Sequence, residues 1–114
     1  MQHYAAIANV THEPELRYTA NQNPVLDLNC VVNERAKKGD EWVDAPVYYQ
    51  VTFWGKAAEY LADQAEPGDS IPIGGKLKLE QWETEDGKRS KLKVTQDPSV
   101  WPTLYRRKPR KDEG

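Results

Sequence analysis

From Val47 the chain reads Val-Tyr-Tyr-Gln-Val-Thr-Phe-Trp. Apolar and polar positions alternate with a period of two, the period of a strand whose side chains point in turn to opposite faces. Val47, Tyr49, Val51 and Phe53 make an apolar face, and Tyr48, Gln50, Thr52 and Trp54 make the other. A helix would scatter both sets round its circumference, so this segment commits the chain to a sheet with one buried side. The exposed side nevertheless carries large rings. The segment from Lys76 repeats the arrangement, with Leu77 and Leu79 inward and Lys76, Lys78, Glu80 and Trp82 outward. A Trp that shares a face with lysines is poorly placed for a core. It is well placed to stack a flat, anionic ligand, and bases on a phosphate backbone fit that description.

The rest of the chain supplies partners for these strands. Residues 3–10 read as a first strand, and residues 11–23, with Pro14, Asn21 and Asn23, as a turn-rich connection. Val25–Asn33 reads as a second strand, with Leu26, Leu28, Cys30 and Val32 inward and Asp27, Asn29, Val31 and Asn33 outward. Residues 34–46 form a charged, exposed loop. After the third strand, 47–54, Gly55 breaks the pattern, and Lys56–Gln64 is a short helix whose Ala57, Ala58 and Leu61 form one apolar stripe. Ser70–Gln81 is a fourth strand, with Gly74-Gly75 a bulge or bend. Asp86-Gly87 is a two-residue hairpin signal leading to a return strand, Arg89–Gln96, with Leu92 and Val94 inward and Arg89, Lys91 and Lys93 outward. Three strands, a short helix and two more strands predict an all-β chain with one short helix, a five-stranded Greek-key barrel of the oligonucleotide-binding type with an extended hairpin. The barrel domain is expected over residues 1–98, and residues 99–114 as a basic, Pro-containing flexible tail.

Length and charge limit what such a barrel can do. A chain of 114 residues holds one domain and one modest core. The net charge of −2 argues by itself against nucleic acid. The charge is unevenly spread, however: the outward face beside Trp82 collects cations, and Arg106, Arg107, Lys108, Arg110 and Lys111 crowd the C-terminal end. No apolar run is long enough to span a membrane, and the start lacks a secretory pattern, so a cytoplasmic location is expected. The single Cys30 precludes an internal disulfide framework, fits a reducing compartment, and reads as a buried structural thiol. Catalysis is not expected. His3 and His12 lack a second ligand at useful spacing, so no metal site is expected. Gly74-Gly75-Lys76 lacks the spacing of a phosphate loop. Glu83, Glu85 and Asp86 sit at a hairpin tip, where charges are solvated. No cofactor is implied.

Several segments resemble the bacterial single-stranded DNA-binding proteins. The resemblance rests on Asn9–Thr19, on Phe53-Trp-Gly-Lys56 followed by Ala57–Leu61, on Pro67-Gly68-Asp69, on Gly75-Lys76-Leu77, and on Gln81-Trp82 through Asp86-Gly87. It covers roughly residues 5–97, in order and with few gaps. It implies binding of single strands with little sequence preference in replication, recombination or repair, association with the nucleoid, and a homotetramer with dimer contacts in the first strand. That strand is alanine-rich here (Ala5, Ala6, Ala8), which makes a dimer the second choice. The family's stacking positions fall on Tyr48, Trp54 and Trp82; a further family Trp falls near Glu34-Arg35 and is replaced. The family recruits repair and replication proteins through an acidic tail, whereas this sequence ends Arg-Lys-Asp-Glu-Gly, so recruitment by that route is not expected.

The expected interface thus combines stacking on Tyr48, Trp54 and Trp82 with phosphate contacts from Lys56, Lys76, Lys78, Arg89, Lys91 and Lys93, each weighed against an ordinary solvated charge. Arg17 is either a further phosphate contact or a structural partner for Glu13 or Glu15. Trp42 and Trp101 each leave two readings open, a further stacking ring or a loop ring capping a core edge. The alternative function is an adaptor of the primosome type, which shares the barrel and binds both single strands and replication-restart proteins. A third is an assembly protein that binds no nucleic acid. Nothing recognisably reads a 2′-hydroxyl, so RNA stays open as a ligand.

Overall fold

The computed structural model describes residues 3–106. The expected strands are present as β1 (Tyr4–Val10), β3 (Pro24–Val32), β6 (Val47–Trp54), β7 (Ser70–Thr84) and β8 (Gly87–Gln96), with α1 (Lys56–Gln64) between β6 and β7. Their pairing order is β1-β7-β8-β6-β3, and β1 also pairs with β3, which closes the ring. All these pairings are antiparallel except β6 with β8, which run parallel with Val51 beside Val94. The inward residues of the alternation fill the ring: Leu26, Leu28, Cys30, Val51, Phe53, Ile71, Ile73 and Val94 are buried. α1 plugs one end with Ala58 and Leu61, both buried, while Ala57 of the expected stripe is half-buried.

Two stretches expected to be irregular are strands. Within 11–23, β2 (Glu15–Tyr18) pairs with β3, Leu16 opposite Leu26. Within 34–46, β4 (Arg35–Lys38) and β5 (Glu41–Asp44) form a separate hairpin closed by Gly39 and Asp40, Gly39 taking a positive φ of 65°. Every residue of β4 and β5 is exposed, so no apolar alternation advertises them, and the turn glycine is their only local mark.

The long hairpin runs further than expected, and its turn is shifted by one residue. Thr84 pairs with Gly87, so Glu85 and Asp86 form the turn. The Thr84 hydroxyl accepts from the Asp86 amide at 3.3 Å and donates to the Gly87 carbonyl at 3.1 Å, which fixes the shift. Leu79, expected inward, is 51% exposed. Past Leu77 the arm has left the barrel, and an inward-pointing side chain there has no core to meet. Val31, expected outward, is buried because β1 crosses β3 there, with Asn9 opposite Val31.

Residues 99–106 do not trail away as a flexible tail. Pro102 is fully buried, the Tyr60 hydroxyl accepts from the Leu104 amide at 3.2 Å, and Ser70 and Tyr105 exchange backbone hydrogen bonds at 2.7 and 2.9 Å. Arg106 lies 3.7 Å from Glu66 and 3.8 Å from the buried Asp69. The packed chain therefore continues at least to Arg106, because these residues cover the mouth beside α1. The remaining basic residues, Arg107, Lys108, Arg110 and Lys111, lie outside the described residues.

Candidate nucleic-acid interface

Directly paired residues of neighbouring strands share a face, so the registers assemble the outward surface row by row. Asp27, Thr52, Thr95 and Lys76 make one row. Asn29, Gln50, Lys93 and Lys78 make the next. Beyond these, Val31 pairs with Tyr48 on one side of the face, and Lys91 with Glu80 on the other. Trp82 pairs with Arg89 further along the arm, and Trp54 with Val25 at the opposite end. One continuous face therefore holds the expected rings and the expected cations of β7 and β8.

The rings are available. Tyr48 is 64%, Trp54 52% and Trp82 46% exposed. Lys76, Lys78, Arg89 and Lys91 are exposed around them, and Lys56 is exposed at the start of α1. Lys93 is more constrained: its ammonium sits 3.0 Å from Glu80, diagonally across the ladder. Lys78 and Lys93 are directly opposite like charges, and Glu80 offsets their repulsion. The Lys93 hydrogen bond, helped by the charges of Lys78 and Lys91, holds the Glu80 carboxyl below its ordinary range. Arg17 is on the face too, but its partner is neither Glu13 nor Glu15. It donates to Asp27 at 3.1 Å, and Asp27 also accepts from the Thr52 hydroxyl at 2.8 Å.

Beside Tyr48 runs a groove that sequence reasoning did not assign. A hollow of about 370 Å³ is lined by His12, Asn29, Tyr48, Gln50 and Lys91. A second, of about 510 Å³, shares His12, Asn29 and Gln50 and continues to Arg17 and Asp27. Asn29 and Gln50 were legible as outward positions, but nothing in the alternation distinguishes an amide at a binding surface from an amide in water. His12 follows β1 in a loop, where no periodicity operates. Trp42, 59% exposed on β5 opposite Lys37, caps no core edge, because its hairpin stands clear of the barrel. Trp101 packs on Tyr60 with ring centroids 5.3 Å apart, as an edge cap would, yet remains 48% exposed.

Residues 1–100 match the model of the single-strand binding protein family. The chain belongs to that family. Family membership also carries the non-enzymatic reading of the chain. A single-stranded DNA-binding protein of Borreliella burgdorferi is 37% identical over 90 residues, which cover 77% of this chain and 60% of that protein. A crystal structure of a deletion mutant of the single-stranded DNA binding protein from Thermus aquaticus superposes with a TM-score of 0.74 at 26% identity, covering 96% of this chain and 53% of that one. The structure of a Plasmodium falciparum SSB in complex with single-stranded DNA has a TM-score of 0.74 at 14% identity, over 92% of this chain and 93% of its own. That last likeness is one of fold. The chain spans little more than half the length of the B. burgdorferi and T. aquaticus proteins.

Proposed function

We propose that this protein binds and coats single-stranded DNA with little sequence preference. The observation that carries this reading is the single sheet face on which Tyr48, Trp54 and Trp82 stand exposed among Lys76, Lys78, Arg89 and Lys91. Each base stacked on a ring contributes on the order of 1–3 kcal/mol, and any base serves because each has a π-face. The lysines and arginines add a salt-sensitive term by displacing counterions from phosphates. Arg17, held by Asp27, presents a fixed rather than a free cation. The names of the relatives support the ligand class, and replication, recombination and repair in the cytoplasm, at the nucleoid, are the processes such coating serves. Among the described residues no helix is long and apolar enough to cross a membrane. The assembly we propose is a homotetramer.

Titration with poly-dT should quench the intrinsic Trp fluorescence strongly. Trp82→Ala and Trp54→Ala should each weaken binding by about 1–3 kcal/mol while leaving the circular dichroism of the barrel intact. Unchanged affinity in both variants would overturn the stacking assignment and favour the adaptor reading.

A further inference from the structure

Past Trp54 the sheet face ends, and the chain builds a second wall there. β8 stops at Gln96, and Asp97–Trp101 turn beside the start of α1. A cleft of about 230 Å³ lies between, with Trp54, Lys56 and Ala57 on one side and Asp97, Pro98 and Trp101 on the other. The volume is below the ~300–1,000 Å³ of a site for a drug-sized ligand, and amounts to roughly seven or eight waters, which suits a single flat ring.

The second wall is held in place. The buried Gln96 side chain accepts from the Gly74 amide at 3.0 Å and donates to the carbonyls of Pro72 and Val100 at 3.3 and 3.1 Å. The Asp97 amide donates to the Gly74 carbonyl at 2.8 Å. Ser99 donates to Asp97 Oδ1 twice, from its amide at 2.9 Å and its hydroxyl at 2.8 Å. Behind the wall, Trp101 leans on Tyr60 with an interplanar angle of 41°, and Pro102 is fully buried. Trp101 is therefore an oriented ring, backed by the helix and 48% open to solvent.

We propose that this cleft is a further nucleotide subsite, which takes the base next to the one stacked on Trp54 and leads the single strand off the sheet towards Trp101. The proposal rests on the single-strand reading above. Three observations carry it. The cleft is continuous with the interface, because Trp54 belongs to both. It holds a second oriented ring, and successive rings along a cationic path are how unpaired strands are held. Its charges sort the parts of a nucleotide: Lys56 provides for a phosphate at the rim, while Asp97 excludes phosphate from the interior and leaves Oδ2 to accept an N–H from the edge of a base. The two Ser99 hydrogen bonds hold the Asp97 carboxyl below its ordinary range, so it is ionised at neutral pH.

The test uses the full chain and a ladder of thymidine oligonucleotides, one series carrying 5-iodouracil for photocrosslinking. Trp101→Ala should weaken binding of the longer oligonucleotides roughly five- to 150-fold, and leave those too short to pass Trp54 unchanged. Trp101→Phe keeps the packing on Tyr60 and a smaller ring, and should fall between wild type and alanine. Irradiation of the wild-type complex should yield a crosslink in the peptide holding Trp101, a readout independent of how either variant folds. Crosslinks confined to Tyr48, Trp54 and Trp82, or equal affinities of wild type and Trp101→Ala at every length, would overturn the subsite and leave the single-strand reading standing. Failure of the wild-type chain to bind any of the ladder would overturn both.

Discussion

Glu80 stands among the cations of the arm, opposite Lys91 and 3.0 Å from the ammonium of Lys93. It relieves the lysines of their mutual repulsion, and it occupies a cation that a phosphate would otherwise engage. Glu80→Gln should therefore tighten poly-dT binding at low salt, by no more than about fivefold given the exposure of the pair, with the gain fading at high salt. Equal affinity in low-salt titrations would show that Lys93 takes no part in the interface. The same pair fixes a pH dependence. The folded carboxyl lies below its ordinary value, so its stabilisation is complete above the ordinary carboxylate range and is lost as pH falls through the lowered value. Acid titration of the arm followed by Trp82 emission should show Glu80→Gln losing less than wild type. Cys30 has the opposite setting: burial alone pushes its thiol up to about 12, so at neutral pH it is a protonated core residue.

The arm formed by β7 and β8 depends on one glycine. Gly75 pairs with Tyr4 of β1 and with Gln96 of β8, so β7 passes there from one partner strand to the other. Its φ is 152°, and a Cβ added to it would lie 1.9 Å from the Thr95 carbonyl oxygen and 2.9 Å from the Asp97 amide nitrogen, both backbone atoms. Gly75→Ala should cost about 3 kcal/mol of stability, read from urea denaturation, because the strand itself must move. The sequence marked this point as a bulge or bend but could not show how close β8 comes, since that distance belongs to a pairing between segments. The same limit explains the other departures. The barrel strands were legible because each buries one face and so alternates. β2, β4 and β5 were not, because pairing without a deep core leaves little period. Tyr48, Trp54 and Trp82 were legible as rings on a polar face, whereas the Arg17–Asp27 contact follows from Arg17 lying opposite Val25, which no local signal encodes. The sequence places Trp101 in an expected tail and leaves it between a core-edge cap and a stacking ring, since a Pro-rich basic stretch looks the same in sequence whether or not it packs.

At the scale of the molecule, β1 leaves Ile7 63% exposed beside the exposed Ala5, an apolar stripe on a strand already paired within the barrel. Native mass spectrometry should show about four chains at micromolar protein, and Ile7→Glu should dissociate the assembly by removing apolar burial. A wild-type monomer would overturn the homotetramer. The closure of the ring has a further consequence. β6 and β8 meet in parallel, Tyr49 beside Leu92 and Thr52 beside Thr95, so the seam joins segments some forty positions apart. On the ribosome, a nascent chain that has emerged only as far as the turn after Thr84 has no β8, and β6 and β7 stand as open edges. Open edges pair with neighbouring chains, and pairings between distant segments form slowly. The last dozen residues of the barrel thus decide when the protein becomes safe from its own copies, and a stop codon ahead of Leu92 releases an open-edged, aggregation-prone sheet in place of a weaker binder.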